Sequence, residues 1–96
     1  MEVRIQAIHF EASAKLEEFI NKKVERLVRR FNAVTAADVT LKVVKPETAM
    51  NKEALVRLTA PSGELLANKT ADTFEEAIDL ALDALESQLE KYKEKK

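Results

Sequence analysis

Six basic side chains, Lys15, Lys22, Lys23, Arg26, Arg29 and Arg30, recur at three-, four- and seven-residue spacings within one stretch of this 96-residue chain. Such spacings place side chains on one side of a helix. At about 100° per residue, with Leu16 at zero, the six fall in an arc from roughly 220° to 340°. Glu17, Glu18 and Glu25 lie outside it, at roughly 100° to 200°, and Leu16, Ile20, Val24, Leu27, Val28 and Phe31 fill roughly 0° to 120°, the core side. A helix built only for solubility intersperses both signs. A stripe of one sign is an electrostatic footprint, and polyphosphate is the chemistry it fits best. Three of the six are arginines, whose planar guanidinium grips phosphate bidentately. The same stripe also reads as a solvated face whose stems cover apolar edges, and the wheel alone leaves both readings open. Phe19 falls inside the basic arc, where burial at the helix edge is expected rather than stacking on a base.

Other chemistry is scarce. A second helical stretch, with Phe74 as zero, crowds Glu75, Glu76, Asp79, Asp83, Glu86, Glu90 and Glu94 between roughly 100° and 200°. That face can bind cations or a basic partner, or can serve as a solvated face that repels RNA from the wrong side. Lys91, Lys93, Lys95 and Lys96 near its end complement the helix dipole whatever else they do. His9 is the one histidine and there is no cysteine, so neither a ligand set for a metal nor a disulfide is expected. Ser13, Ser62 and Ser87 have no base placed to activate them. The single glycine, Gly63, rules out a Gly-rich phosphate loop. No catalytic residues, metal or cofactor are expected.

The elements that must position these residues can be read from periodicity. Glu2 to Ile8 alternates as a strand. Ser13 is a credible N-cap for the first helix, which ends near Phe31–Asn32. Asp38 to Lys45 is a second strand, closed by Pro46 and a polar loop through Lys52. Glu53 to Ala60 and Glu64 to Thr70 form a hairpin about Pro61-Ser62-Gly63. Thr73 and Glu76 make a capping-box signature for a second helix to about Lys93, with Phe74, Ile78, Leu82, Leu85, Leu89 and Tyr92 as its buried stripe. The order β-α-β-β-β-α predicts an α+β two-layer sandwich: a four-stranded mixed sheet with both helices on one face. Strand 1 should pair parallel to strand 2 across the helical crossover, the other pairs antiparallel. An outer sheet face bearing Leu55 or Leu66 is a further possible contact surface.

Composition sets the bounds. The length suits one domain. Hydrophobic residues make up 46% and charged residues 34% of the chain, a globular balance. The polar, strand-like start does not read as a signal peptide, and a soluble, cytoplasmic protein without membrane segments is expected. The net charge of −1 argues against a generally basic nucleic-acid binder. The charge is uneven, however. Residues 1–45 hold nine Lys/Arg and six Asp/Glu, or +3, and residues 46–96 hold seven and eleven, or −4. At a Debye length of roughly 8 Å the local stripe outweighs the sum.

Taken together, the opening Val3-Arg4-Ile5-Gln6, Ser13 through Leu16-Glu17-Glu18-Phe19, Lys23-Val24, and Arg26-Leu27 to Phe31 carry a resemblance. It continues through Val39-Thr40-Leu41-Lys42-Val43, Asp72-Thr73-Phe74 into Ala77-Ile78-Asp79, Gln88-Leu89 and Lys91-Tyr92-Lys93-Glu94-Lys95. The chain resembles the short-form bacterial ribosome hibernation-promoting factors, also called ribosome-associated inhibitor or sigma-factor modulation proteins. No single motif is diagnostic; their order and spacing together, over nearly the whole chain, is fairly specific. The resemblance implies a fold similar to a double-stranded-RNA-binding domain with an added first strand. It implies binding to the small ribosomal subunit and its ribosomal RNA where mRNA and tRNA would sit, as part of a stress or stationary-phase response. Basic positions carried over from the family are Lys23 and Arg26 in the first helix and Lys91, Lys93 and Lys95 near the end of the second. Lys22, Arg29 and Arg30 are added from the wheel. The chain departs from the family at Ala84 and Ser87, where basic residues are expected in mid helix 2.

The resulting expectation is a non-enzymatic ribosome hibernation factor, residues 1–96 forming a single ribosome-binding domain. It would have no C-terminal dimerisation domain, no small-molecule substrate and no membrane partner; the sequence leaves the oligomeric state open, a monomer being the expectation. The mechanism would be occlusion, with RNA contacts at Lys22, Lys23, Arg26, Arg29, Arg30, Lys91, Lys93 and Lys95. The alternative is a protein-interaction module that uses the acidic face of helix 2.

Overall fold

Alternation along the strands and the 3.6-residue period of the helices assemble as β1 (Glu2–Ile8), α1 (Ala14–Arg30), β2 (Ala36–Val43), β3 (Lys52–Ala60), β4 (Gly63–Ala71) and α2 (Phe74–Glu94). The structure is a computed structural model. It describes residues 2–8, 10–31, 33–44, 50–61 and 63–94, with side chains through Lys91. Expectations placed on His9, Lys45, Pro46, Ser62 and Lys95, and on the side chains of Tyr92 and Lys93, lie outside the described residues.

The sheet runs β1-β2-β3-β4. β1 pairs parallel to β2 from Glu2↔Ala36 to Ile8↔Lys42, because α1 carries the chain back between them. β2 and β3 pair antiparallel, Ala36↔Thr59 through Val43↔Lys52. The β3–β4 hairpin closes at Ala60↔Gly63, and Gly63 sits at φ +141, a conformation that favours glycine. The expected topology is the observed one. Boundaries shift by one or two residues. β2 begins at Ala36 rather than Asp38 because pairing on both sides extends the ladder over two alanines of low strand propensity. Just before it, the Thr35 amide donates to the Thr59 carbonyl at 2.8 Å.

One sheet face is apolar and carries both helices. Val39 and Leu41 of β2, Ala54, Val56 and Leu58 of β3, and Ala67 and Ala71 of β4 are buried there. They meet Leu16, Ile20, Val24, Leu27 and Phe31 from α1 and its C-cap. From α2 come Ala77, Ile78, Ala81, Leu82, Leu85 and Leu89. Ser13 caps α1, its hydroxyl accepting from the Leu16 amide at 3.1 Å. Thr73 caps α2 in the same way, accepting from the Glu76 amide at 3.1 Å. Phe74 is only half-buried and stacks on Phe10 with ring centroids 5.0 Å apart. Gln88 reaches the edge of the sheet, its Nε2 donating to the Leu66 carbonyl at 3.2 Å, which occupies part of an edge that would otherwise invite another strand. The opposite sheet face is polar, with Leu66 as its exposed apolar residue at 49% and Leu55 half-buried.

Candidate RNA-binding face

The two helices run parallel. Lys23 pairs with Asp79 at 3.3 Å, and two turns further along both helices Arg30 pairs with Glu86. This follows from chain direction, since each helix succeeds a strand pointing the same way. Parallel helices place their positive N-terminal ends together, and the acids Glu17, Glu75 and Glu76 lie in those first turns.

The tertiary arrangement divides the basic stripe of α1 into two rows. The inner row, Lys23 and Arg30, lines an open groove between the helices with Arg26, Leu27, Asp79, Leu82, Asp83 and Glu86. Arg30 bridges both Glu86 and Glu90, the latter at 3.7 Å. Its guanidinium also lies over the Phe31 ring, 5.4 Å from the centroid. The Lys23 ammonium lies 5.5 Å from the centroid of Phe19. Phe19 is therefore packed against the core on one side and covered by a lysine on the other, in keeping with an edge residue rather than a stacking platform. The groove holds Lys23, Arg26 and Arg30 against Asp79, Asp83 and Glu86, so it is electrically balanced.

The outer row is different. Lys15, Lys22, Arg26 and Arg29 are all exposed and point away from the sheet along the crest of α1. Lys22 has an i,i+4 partner in Glu18 at 3.6 Å, a solvated pair of small worth. Lys15, Arg26 and Arg29 have no ion partner within 4.0 Å among the described residues. Arg26 belongs to both rows: it lines the groove, yet has no ion partner within 4.0 Å among the described residues.

The sequence reading leaves the acidic arc of α2 as a face for cations or a basic partner, or as a solvated face that repels RNA. In the structure part of the arc is turned to α1: Asp79, Glu86 and Glu90 are ion partners of α1, and Asp83 lines the same groove as Arg26. Nothing in one-dimensional periodicity gives the rotation of one helix about another, so only packing could reveal it. Lys91 is exposed, but it follows Glu86 by five residues and so projects about 140° around the helix from the groove. It shares with Ser87 and half-buried Ala84 a side of α2 turned away from α1. The structure thus gathers Lys22, Arg26 and Arg29 on one crest, sets Lys23 and Arg30 in the groove, and leaves Lys91 apart.

The open sheet face offers a weaker pattern. Arg4 bonds Glu2 at 3.2 Å, which raises its guanidinium pKa further above an already high value, and Arg57 lies 4.0 Å from Glu64. These are exposed, mutually neutralised pairs. Among the described residues no group of three or more His, Asp or Glu is placed to hold a metal, and no helix is long and apolar enough to cross a membrane.

Comparison with known proteins decides the family. The model of the Sigma 54 modulation protein / S30EA ribosomal protein family matches residues 3–96. The chain belongs to this family. Among curated relatives, the ribosome hibernation promoting factor of Pseudomonas putida is 33% identical over 95 residues, covering 99% of this chain and 89% of that protein. The factor of the same name from Azotobacter vinelandii is 30% identical over 95 residues, 99% and 85% of the two chains. That of Deinococcus radiodurans is 35% identical over 85 residues, which is 86% of this chain and 44% of the longer protein. The fold is shared with a ribosomal subunit interface protein from Coxiella burnetii, at a TM-score of 0.88 and 23% identity over 99% of this chain and 100% of that one. It is also shared with the N-terminal domain of Thermus thermophilus Protein Y, at 0.80 and 22% over 96% and 99%. The resemblance read from the sequence and the expected fold class both stand.

Proposed function

We propose that this chain is a ribosome hibernation factor that binds the small ribosomal subunit and blocks the channel for mRNA and tRNA. The observation that carries the reading is the exposed crest of α1, where Lys22, Arg26 and Arg29 stand without a buried ion partner among the described residues, on a member of the family just described. Cations on a rigid helix, held in register by a packed core, suit phosphates of a folded RNA. Such contacts carry position rather than sequence, so the shape of the RNA selects the site. The action is occlusion: residues 1–96 fill the channel as one body and no bond is made or broken. Lys15 lies on the same crest and extends the contact by two turns. Lys23 and Arg30, paired with α2, serve mainly to fix the two helices. Lys91, with Lys93 and Lys95 beyond it, makes a second, separate contact. The absence of basic side chains at Ala84 and Ser87 leaves α1 with most of the binding.

Co-sedimentation with purified small subunits tests this. Arg26→Glu combined with Arg29→Glu should abolish pelleting with the subunit at unchanged circular dichroism, and wild-type protein should exclude initiator tRNA and mRNA from the subunit. Pelleting unaffected by the double reversal would refute the assignment of the crest.

A further inference from the structure

We infer that the acidic row of α2 is a specificity device for the crest, one that suppresses binding to nucleic acid of the wrong shape. The inference rests on the RNA reading of the crest and goes beyond it by assigning a role to Asp83 and Glu90. Both are exposed. Asp83 shares the groove wall with Arg26, and Glu90 reaches Arg30 at 3.7 Å. They are not the strongest ion partners in the groove, since the shorter contacts, Lys23–Asp79 and Arg30–Glu86, are made by their half-buried neighbours. Stabilising the helix pair therefore does not account for Asp83, and accounts for Glu90 only through the longer, exposed contact with Arg30.

Their placement has an electrostatic consequence. Packed helices lie about 8–10 Å apart, close to the Debye length of roughly 8 Å at physiological salt. Beyond that distance the basic crest and the acidic row cancel, so a free strand approaching from solution meets a chain of net charge −1 and little steering. At contact, the outcome depends on geometry. A phosphate backbone laid flat across the helical layer touches both helices, and a phosphate held by Arg26 brings a neighbour toward Asp83, which lines the same groove, and toward Glu90 further along α2. A surface that offers phosphates along the line of α1 alone escapes the acids. The row thus converts a general polyanion footprint into one that accepts a single ridge of phosphates. Penalising the competitor rather than strengthening the correct contact is a standard route to specificity, and non-specific RNA binding is the competitor every ribosome ligand faces.

The test compares two charge-matched double variants in two assays. Asp83→Asn with Glu90→Gln removes the exposed part of the row. Glu53→Gln with Glu64→Gln removes two acids from the open sheet face and changes net charge equally. Affinity for a single-stranded uridine homopolymer is read by fluorescence anisotropy at about 50 mM salt, and ribosome binding by co-sedimentation. At high dielectric each removed repulsion is worth about threefold. The α2 variant should therefore bind homopolymer about tenfold more tightly than wild type, and the sheet variant should match wild type. Adding Arg26→Ala and Arg29→Ala to the α2 variant should erase the gain. The inference is overturned if homopolymer affinity is unchanged in the α2 variant, if both variants gain equally, or if the gain survives loss of the two arginines. Failure of the wild-type protein to pellet with subunits would instead refute the proposed function, while the homopolymer comparison would still decide the role of the row.

Discussion

Two pairs of cations only a turn or so apart on α1 should fail in opposite ways when removed. Arg26 and Arg29 have no ion partner among the described residues and are exposed on the crest, so replacing both with alanine deletes two phosphate contacts and little else. Each contact contributes about 0.9 to the slope of log K against log salt for a duplex, and about 0.7 for single strands. The double variant should lose about 1.4 to 1.8 from that slope. Its melting temperature should stay within about 4 °C, because exposed substitutions away from special features are close to neutral. Lys23 and Arg30 are already engaged by Asp79, Glu86 and Glu90. Their side chains are 38% and 55% exposed, so solvent screening limits each interaction to about 0.2–1 kcal/mol. Losing both should lower stability by about 0.5–2 kcal/mol. For a domain of this size that is about 2–15 °C in melting temperature, with a change in salt slope of less than about 0.5. Two readouts separate the cases: ribosome pelleting across about 50–200 mM salt, and thermal unfolding by circular dichroism. If the inner pair costs as much binding and salt slope as the outer pair, the division of the stripe into a structural row and a functional row is wrong.

Further predictions concern the scaffold and the whole footprint. Ile20→Ala, at a site with no solvent exposure, should destabilise by about 2–5 kcal/mol, seen as a fall in denaturation midpoint without a change in ribosome affinity below the transition. Gly63→Ala meets no atom within 4 Å, so its cost is backbone strain alone, about 1–3 kcal/mol, measurable as a lowered melting temperature; a neutral result would show that the hairpin relaxes. Thr73→Ala removes the acceptor for the Glu76 amide and should cost about 1 kcal/mol, whereas Thr73→Ser should restore it. The four crest cations alone should weaken binding by about 50- to 150-fold between 50 and 200 mM salt, so wild-type affinity should fall at least that far; a salt-independent affinity would exclude phosphate contacts as its source.

Much of the fold was legible because its signals are local. The alternation in Val39 to Val43, the caps at Ser13 and Thr73, the proline–glycine turn and the helical stripes each depend on neighbours within a few residues. Together they admit few topologies. What escaped was not local in origin: the start of β2 at Ala36 is set by ladders on both sides, not by its own propensity. The family was readable from the order of motifs along the chain.

The candidate site was only half legible. The sequence by itself determined that α1 carries cations on one side and that α2 carries acids on one side, because the angle around a single helix follows from residue spacing. It could not determine how those two arcs face each other, because that angle is set by which apolar side chains of each helix seat on the sheet. Leu16, Ile20 and Leu27 fix the roll of α1, and Ile78, Leu85 and Leu89 fix that of α2. Their packing turns Lys23 and Arg30 toward Asp79 and Glu86 and leaves Arg26 and Arg29 on the crest. The composition of the stripe is thus a property of the sequence. The tertiary structure decides which of its charges remain free for a partner, because Lys23 and Arg30 are satisfied across the groove by acids of α2.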